Sequence, residues 1–203
     1  MKIIILFLLV ASLNASFAAT DTNILAMGEW SQPVADYSGS KIRGRLLICQ
    51  SIKHRGSSGI DIAVYLELQE HSDSYGRPVE VFCDFRKGLH CELSDSSGNV
   101  AKSEFSLKFN GPAPGPFTCI LQSDSSVRLR VSPIVGCREP NGDWDLLGPP
   151  FQSWYLDRNN TNAFYLSGTF KVNPTNSIVH GSSPDVWEGT LILPKMKVLI
   201  KQP

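Results

Sequence analysis

The sequence has no excess of either charge and is poor in the residue types that define several protein classes. Its 203 residues include 19 Lys and Arg against 19 Asp and Glu. A net charge of zero argues against a nucleic-acid-binding protein, because phosphate binding needs a basic excess. Five cysteines are too few for a small domain held together by disulfides. The 42% hydrophobic content excludes a wholly disordered chain.

Recognisable catalytic and metal-binding motifs are absent as well. The four histidines form no HxH, HxxxH or HExxH pattern, so a zinc site is not indicated. There is no GxSxG nucleophile motif and no glycine-rich phosphate loop. We therefore expect no cofactor, no metal and no enzymatic activity. One short acceptor pattern for N-glycosylation, Asn159-Asn160-Thr161, matters only in a eukaryotic source.

No apolar run is long enough to span a bilayer, which takes about 20 residues. The segment Met1–Ala18 instead has the three parts of a signal peptide. Lys2 provides the positive start, Ile3–Leu13 provides the apolar core, and Ser16-Phe17-Ala18 provides the small residues of a cleavage site. We expect cleavage after this triplet. Residues 19–203 would then form a single secreted or periplasmic domain with no transmembrane segment.

The remaining chain alternates between apolar and polar residues with the period of a β-strand. In residues 60–69, isoleucine, valine and leucine at the even positions alternate with Asp, Ala, Tyr, Glu and Gln at the odd positions. This pattern predicts a strand with one buried face and one solvated face. Similar but weaker patterns elsewhere predict about ten short strands in all. No long window has a good helical period, so we expect little or no helix.

Turn-forming residues separate the predicted strands, as in Gly56–Gly59 and Asp95–Asn99. A strand with one apolar face must cover that face with another sheet. The sequence therefore predicts an all-β protein with a two-sheet sandwich, and a closed barrel is the alternative. Pro194 interrupts the last strand, which suits a bend or an edge strand because proline has no ladder donor.

All five cysteines follow the predicted cleavage site, and export permits disulfides. An odd number leaves at least one cysteine without a partner in the same chain. Cys83 and Cys91 are the candidate disulfide, because they lie on two adjacent predicted strands. The alternative is that all five are small, buried apolar residues.

One aromatic cluster is a candidate for contacts with a ligand. Aromatic side chains on exposed loops of a β-sandwich can stack on sugars or anchor a partner protein. The structural alternative is that they close one end of the sandwich. Trp30 and Trp187 are expected to pack in the core or at a sheet edge. The cluster lies in or beside residues 132–150, which look irregular, and comprises Trp144, Phe151, Trp154 and Tyr155.

Five short segments of the mature chain have the composition of strand signatures: Gly28-Glu-Trp30, Val64–Leu68, Tyr165–Phe170, Trp187–Leu191 and Pro194–Val198. Together they resemble a group of exported, uncharacterised bacterial proteins with immunoglobulin-like sandwich domains. The resemblance covers most of the mature chain. It implies an immunoglobulin-like β-sandwich and an exported location, and it implies no functional residue.

The sequence therefore predicts a secreted or periplasmic, non-catalytic β-sandwich that binds a protein partner or a glycan, although fold alone does not give function. One alternative is a hydrolase with a site assembled from distant residues, for which Asp84, His90, Asp143 and Asp145 are the first candidates. Another is a structural accessory protein of the cell surface. Such a protein would have an unpaired sheet edge or an exposed apolar patch.

Overall fold

The fold is known from a computed structural model, and nearly all of the regular structure in it is β. Within the described residues the chain forms fourteen strands and one four-residue helix. The predicted signal peptide lies outside these residues. The structure describes residues 23–52, 60–71, 78–105, 115–133, 135–138, 144–148, 152–156, 163–173 and 186–198.

Fourteen strands and one short helix follow one another along the described chain. In chain order they are β1 (Asn23–Met27), β2 (Val34–Ala35), β3 (Lys41–Ile52), β4 (Ile60–Glu70), β5 (Val79–Cys83), α1 (Phe85–Gly88), β6 (Leu89–Asp95), β7 (Ser103–Phe105), β8 (Phe117–Leu121), β9 (Ser126–Pro133), β10 (Val135–Arg138), β11 (Trp144–Gly148), β12 (Gln152–Leu156), β13 (Phe164–Val172) and β14 (Gly189–Val198).

The strands form four antiparallel sheets. Sheet 1 has the order β1-β3-β4-β9, with β2 also pairing with β3. Sheet 2 has the order β14-β13-β6, sheet 3 has the order β10-β11-β12-β7, and sheet 4 pairs β5 with β8. In the described part of the chain no ring of strands closes, so the barrel alternative is wrong there. The prediction of an all-β protein is confirmed.

The main core contains residues of all four sheets, and within it sheet 1 and sheet 2 pack against each other. Gly44 of β3 faces β14 so closely that an added Cβ would lie 3.0 Å from Leu191 and 3.2 Å from Leu193. Leu66 and Leu68 of β4 belong to the same core and are fully buried. The even-numbered face of β4, predicted to be buried, is therefore the face that closes this core.

The opposite face of β4 differs from its prediction. The sequence predicted a solvated face, but Ala63, Tyr65 and Glu67 are all buried. Ala63 and Tyr65 pack with Leu47 and Cys49 of β3 in a second apolar cluster. Glu67 is buried by ion pairs instead. The alternation predicted the strand period correctly. It could not show that side chains of β3 pack beside the odd-numbered side chains of β4 and help to bury them.

The stretch 132–150 also differs from its prediction as an irregular segment. It contains β10 and β11, which pair with Cys137 opposite Asp145 and Arg138 opposite Trp144. Neither strand has a long alternating pattern. Their regularity comes from hydrogen-bonded pairing, which a local hydrophobic pattern does not reveal.

The predicted edge position of the last strand is confirmed. β14 lies at one end of sheet 2, and its ladder with β13 shifts register between Leu166 and Gly168, opposite the Pro194 segment. A proline is tolerated at such a bulge because no ladder donor is needed there. Just before β14, the fully buried Trp187 donates its indole N–H to the Val34 carbonyl at 3.3 Å.

We predict that Leu66→Asp unfolds the protein. The change places an unpaired carboxylate in the core between the two sheets, which costs at least about 4 kcal/mol. Urea unfolding followed by circular dichroism measures the loss.

Ile192→Asp is the matched control, because Ile192 is 73% exposed on β14 and should change stability by no more than about 1 kcal/mol. A Leu66→Asp protein as stable as this control would show that the even-numbered face of β4 is not buried.

Candidate functional site

The aromatic cluster divides between core and surface. Trp154 is 2% exposed and belongs to the main core, and its ring lies directly over Gly148. Tyr155 is 41% exposed, and its backbone pairs with Asp145. Trp144 is placed in β11 opposite Leu156, and Phe151 lies outside the described residues. Trp154 is therefore packed in the core, and Tyr155 is the member of the cluster whose side chain is shown to be exposed.

The residues proposed for a hydrolase are not brought into contact by the described structure. Asp84 caps α1, where its carboxylate accepts from the Arg86 backbone N–H at 3.2 Å. His90 lies on the exposed side of sheet 2, with Nε2 3.6 Å from a carboxylate oxygen of Glu92. Asp145 is part of the β11 ladder. Asp143 and the acceptor Asn159 lie outside the described residues.

The cysteines are placed differently from the expected pairing. Cys49, Cys83, Cys91 and Cys119 are buried thiols. Cys83 lies on β5, and its Sγ is 3.9 Å from the Sγ of Cys119 on β8. Cys91 lies on β6, opposite Gly168 of β13. The Cys83–Cys91 pairing stays a prediction that no disulfide in the described structure supports.

Several side-chain hydrogen bonds and ion pairs link β3, β4 and β9 on the face of sheet 1 that carries the odd-numbered side chains of β4. At the centre of these contacts is Glu67 of β4, whose side chain is 2% exposed. Arg45 of β3 donates from Nε to Oε2 at 2.6 Å, and Arg128 of β9 donates from Nε to Oε1 at 2.8 Å. Ser126 donates to Oε1 at 3.1 Å. Both oxygens of the carboxylate are therefore occupied by neighbouring strands.

The strand register explains this arrangement. Arg45 lies directly opposite Glu67 in the β3–β4 ladder, and Arg128 lies directly opposite it in the β4–β9 ladder. Side chains directly opposite on one face of an antiparallel pair lie close enough to interact. The next pair along, Arg43 and Gln69, repeats the contact: Arg43 donates from Nε and Nη2 to Gln69 Oε1 at 2.9 and 2.7 Å.

Trp30 covers the guanidinium groups of β3. Its ring centroid is 4.8 Å from Cζ of Arg43 and 4.2 Å from Cζ of Arg45, which is the geometry of a cation–π contact. The adjacent Ser31 holds the segment against β3: its N–H donates to the Gly44 carbonyl at 2.8 Å, and its hydroxyl accepts from Gly44 N–H at 3.0 Å. We call Trp30, Arg43, Arg45, Glu67 and Arg128 the arginine face.

The arginine face is positively charged. The described side chains on this face of β3, β4 and β9 include one carboxylate, Glu67, whose charge is matched by its two arginine partners. The chain as a whole has a formal net charge of zero, so this face is a local excess of positive charge. The basic residues on this side of β3 and β9, counting Lys41 and Arg130 beside the arginine face itself, are Lys41, Arg43, Arg45, Arg128 and Arg130.

The electrostatics of Glu67 follow from the same contacts. Burial by itself raises the pKa of a carboxyl group, but the hydrogen bonds and charges of Arg128 and Arg45 outweigh it, and the pKa of Glu67 is lowered from its ordinary value of 4.5. Glu67 is therefore ionised at neutral pH, and it fixes the orientation of two guanidinium groups.

Sequence reasoning did not identify this site. The sequence predicts a solvated face for Glu67 and packing for Trp30, and it assigns no role to Arg43, Arg45 or Arg128. The available signal was repetition: charged or amide side chains recur two residues apart on three predicted strands. Without the strand order this repetition could not be assembled, because Arg45 and Arg128 are 22 and 61 residues from Glu67.

Comparisons with known proteins identify no relative. No family model, no curated protein and no solved structure matches the chain. Among the described residues there is no helix long and apolar enough to cross a membrane, and no cluster of three or more His, Cys, Asp or Glu residues that could hold a metal ion. The arginine face is therefore interpreted from its own geometry.

We predict that Glu67→Gln destabilises the protein in a pH-dependent manner. Because the folded-state pKa of Glu67 is lowered, its stabilising contribution is present above the ordinary value of 4.5 and is lost as the pH falls through the folded-state pKa. Urea unfolding should give a wild-type advantage of about 1–3 kcal/mol at pH 7. This advantage should shrink progressively as the pH falls below 4.5.

Glu92→Gln is the control, since the Glu92 side chain is 53% exposed on sheet 2. It should change stability little at any pH. If the difference in unfolding free energy between the wild type and Glu67→Gln were the same at pH 7 and pH 3, the stabilisation would not come from the ionised carboxylate of Glu67.

Proposed function

We propose that this protein is an exported, non-catalytic β-sandwich of the immunoglobulin-like type that binds an acidic segment of a protein partner through the arginine face. The observation behind the proposal is the Trp30–Arg45–Glu67–Arg128 arrangement, in which a buried carboxylate and an indole ring hold guanidinium groups in place. The leader-like N-terminus supports export. The close packing of sheet 1 on sheet 2 supports the sandwich.

The chemistry of the face favours an anionic ligand. Arginine guanidinium groups recognise carboxylates through paired N–H donors. Arg45 and Arg128 use Nε for Glu67, and the Arg128 side chain is 38% exposed. An arginine already held in one orientation loses less conformational entropy on binding than a free one. Tryptophan and arginine are also the residue types enriched where binding energy concentrates in protein interfaces.

A protein partner fits these contacts better than a neutral glycan. Sugars are commonly held by stacking on an aromatic ring, but guanidinium groups of Arg43 and Arg45 already lie against the ring of Trp30. Of the four aromatic residues expected to contact a ligand, Trp154 is buried and Tyr155 is exposed. The arginine face therefore presents mainly positively charged groups to a ligand. The carboxylates of an acidic segment carry the complementary charge.

The proposal predicts binding to an acidic peptide that depends on the arginines. The probe is a fluorescein-labelled peptide of about ten glutamates, titrated with the mature protein in low salt and followed by fluorescence anisotropy. Arg43→Gln and Arg128→Gln should each weaken binding at least about fivefold, and added salt should weaken binding to the wild type.

Lys171→Gln is the matched control, since it removes the same charge from an exposed position on β13 and should leave the affinity unchanged. Equal weakening in all three variants would indicate only a net-charge effect and would contradict the proposal. A labelled heparin fragment, tested in parallel, would reassign the face to an acidic glycan if it binds through the arginines and the peptide does not.

A second candidate function is that of a structural accessory protein of the cell surface. β1 lies at the end of sheet 1, and it presents three apolar side chains that are between 39% and 55% exposed: Ile24, Leu25 and Met27. An exposed apolar edge strand is a template for pairing with another chain. The hydrolase alternative remains a hypothesis from the sequence with no described constellation behind it.

Light scattering coupled to size-exclusion chromatography tests this second function. If β1 is an assembly edge, the mature protein should self-associate at high concentration, and Leu25→Lys should shift it to the monomer. Ile120→Lys, which alters a side chain that is 54% exposed on β8, should not. A wild-type protein that stays monomeric would rule out self-assembly through this edge.

A further inference from the structure

Two cysteines lie side by side in the interior on paired strands. Cys83 of β5 is fully buried, and Cys119 of β8 is 9% exposed. Their Sγ atoms are 3.9 Å apart. In the β5–β8 ladder Cys83 lies opposite Phe117 and Cys119 lies opposite Val81. The two cysteines therefore share one face of the pair, one diagonal step apart.

We propose that Cys83 and Cys119 are joined by a disulfide in the mature protein. The bond needs the sulfurs to approach from 3.9 Å to about 2.05 Å. Diagonal neighbours on one face of a sheet lie about 7–8 Å apart, at the upper limit of the Cα separation that a disulfide spans, so closing the bond requires side-chain rotation together with a small shift of the two strands. The partner expected from the sequence, Cys91, lies on β6, and β6 pairs with β13 in sheet 2.

The contact between the two sulfurs affects their pKa values in opposite directions in the folded protein. It raises the pKa of Cys83, which burial raises further, and it lowers the pKa of Cys119. Both thiols are buried in that state, so these shifts do not decide which sulfur reacts first while the chain folds.

The oxidation balances with a small-molecule disulfide such as oxidised glutathione. The thiolate of one cysteine attacks one sulfur of that disulfide, forms a mixed disulfide and releases one small thiol. The other cysteine then loses its proton and attacks the protein sulfur of the mixed disulfide, which releases the second small thiol. Two protein thiols are oxidised and one small disulfide is reduced. Because both cysteines are buried in the folded chain, the exchange takes place while the chain folds.

The cross-link would close a loop that contains α1, β6 and β7. The two cysteines are 36 positions apart, and a bridge over such a loop restricts the unfolded chain more than the folded one. The oxidised protein should therefore be more stable than the reduced protein. The disulfide would also link β5 to β8, the two strands of sheet 4, covalently.

Peptide mapping can identify the pairing without ambiguity, because trypsin releases each cysteine on a different peptide. The full mature chain is unfolded in denaturant with reductant, refolded with oxidised and reduced glutathione, quenched in acid, alkylated and digested. The five cysteine peptides, in chain order, are residues 46–53, 56–86, 88–102, 109–128 and 131–138.

We expect peptide 56–86 to be joined to peptide 109–128, with a mass two hydrogens below their sum, and the pair to separate on reduction. Reduction should lower the melting temperature of the wild type by at least about 5 °C and should leave that of Cys119→Ser unchanged. Cys49→Ser is the control and should keep the bridge.

Two results would overturn the proposal. One is alkylation of both Cys83 and Cys119 after oxidative refolding. The other is a bridge between peptides 56–86 and 88–102, which would establish the Cys83–Cys91 pairing instead. The wild-type map alone decides between these outcomes, so the result does not depend on the folding of any variant.

Discussion

The buried carboxylate of Glu67 constrains how the central strands of sheet 1 can pair. Glu67 is 1% exposed, and a carboxylate at that depth is tolerated only when charged donors satisfy it. Arg45 and Arg128 do so from directly opposite positions on the two neighbouring strands. A slip of one residue in either ladder would place Glu67 and its arginine partner on opposite faces of the sheet. The ion pairs and the hydrophobic core therefore specify the same register.

The contacts of Glu67 also limit the conformations of the arginine side chains on the arginine face. Guanidinium groups held by Glu67 and Gln69 cannot spread freely over the sheet, and the ring of Trp30 limits them further. The result is a rigid, positively charged surface in a chain with no net charge. Rigidity of this kind lowers the entropic cost of binding, and for this reason we propose the arginine face as the binding surface, whereas Trp154 of the aromatic cluster is packed in the core.

The sequence predicted those features that depend on local pattern. The alternation in residues 60–69 predicted β4 and its core face, and Pro194 predicted an edge strand. Features created by distant pairing could not be predicted. Ala63 and Tyr65 look solvent-facing until β3 is placed beside them, and Cys83 finds Cys119 only when β5 pairs with β8. The arginine face escaped detection for the same reason, since its members come from four separate segments.

The most direct test of the account is the energetic coupling between Glu67 and Arg128. A double-mutant cycle with Glu67→Gln, Arg128→Gln and the combined variant, measured by urea unfolding at pH 7, isolates their interaction from the other effects of each change. We expect a favourable coupling free energy of at least about 1 kcal/mol between Glu67 and Arg128. A coupling near zero would show that Glu67 does not organise the arginine face, and would contradict the account.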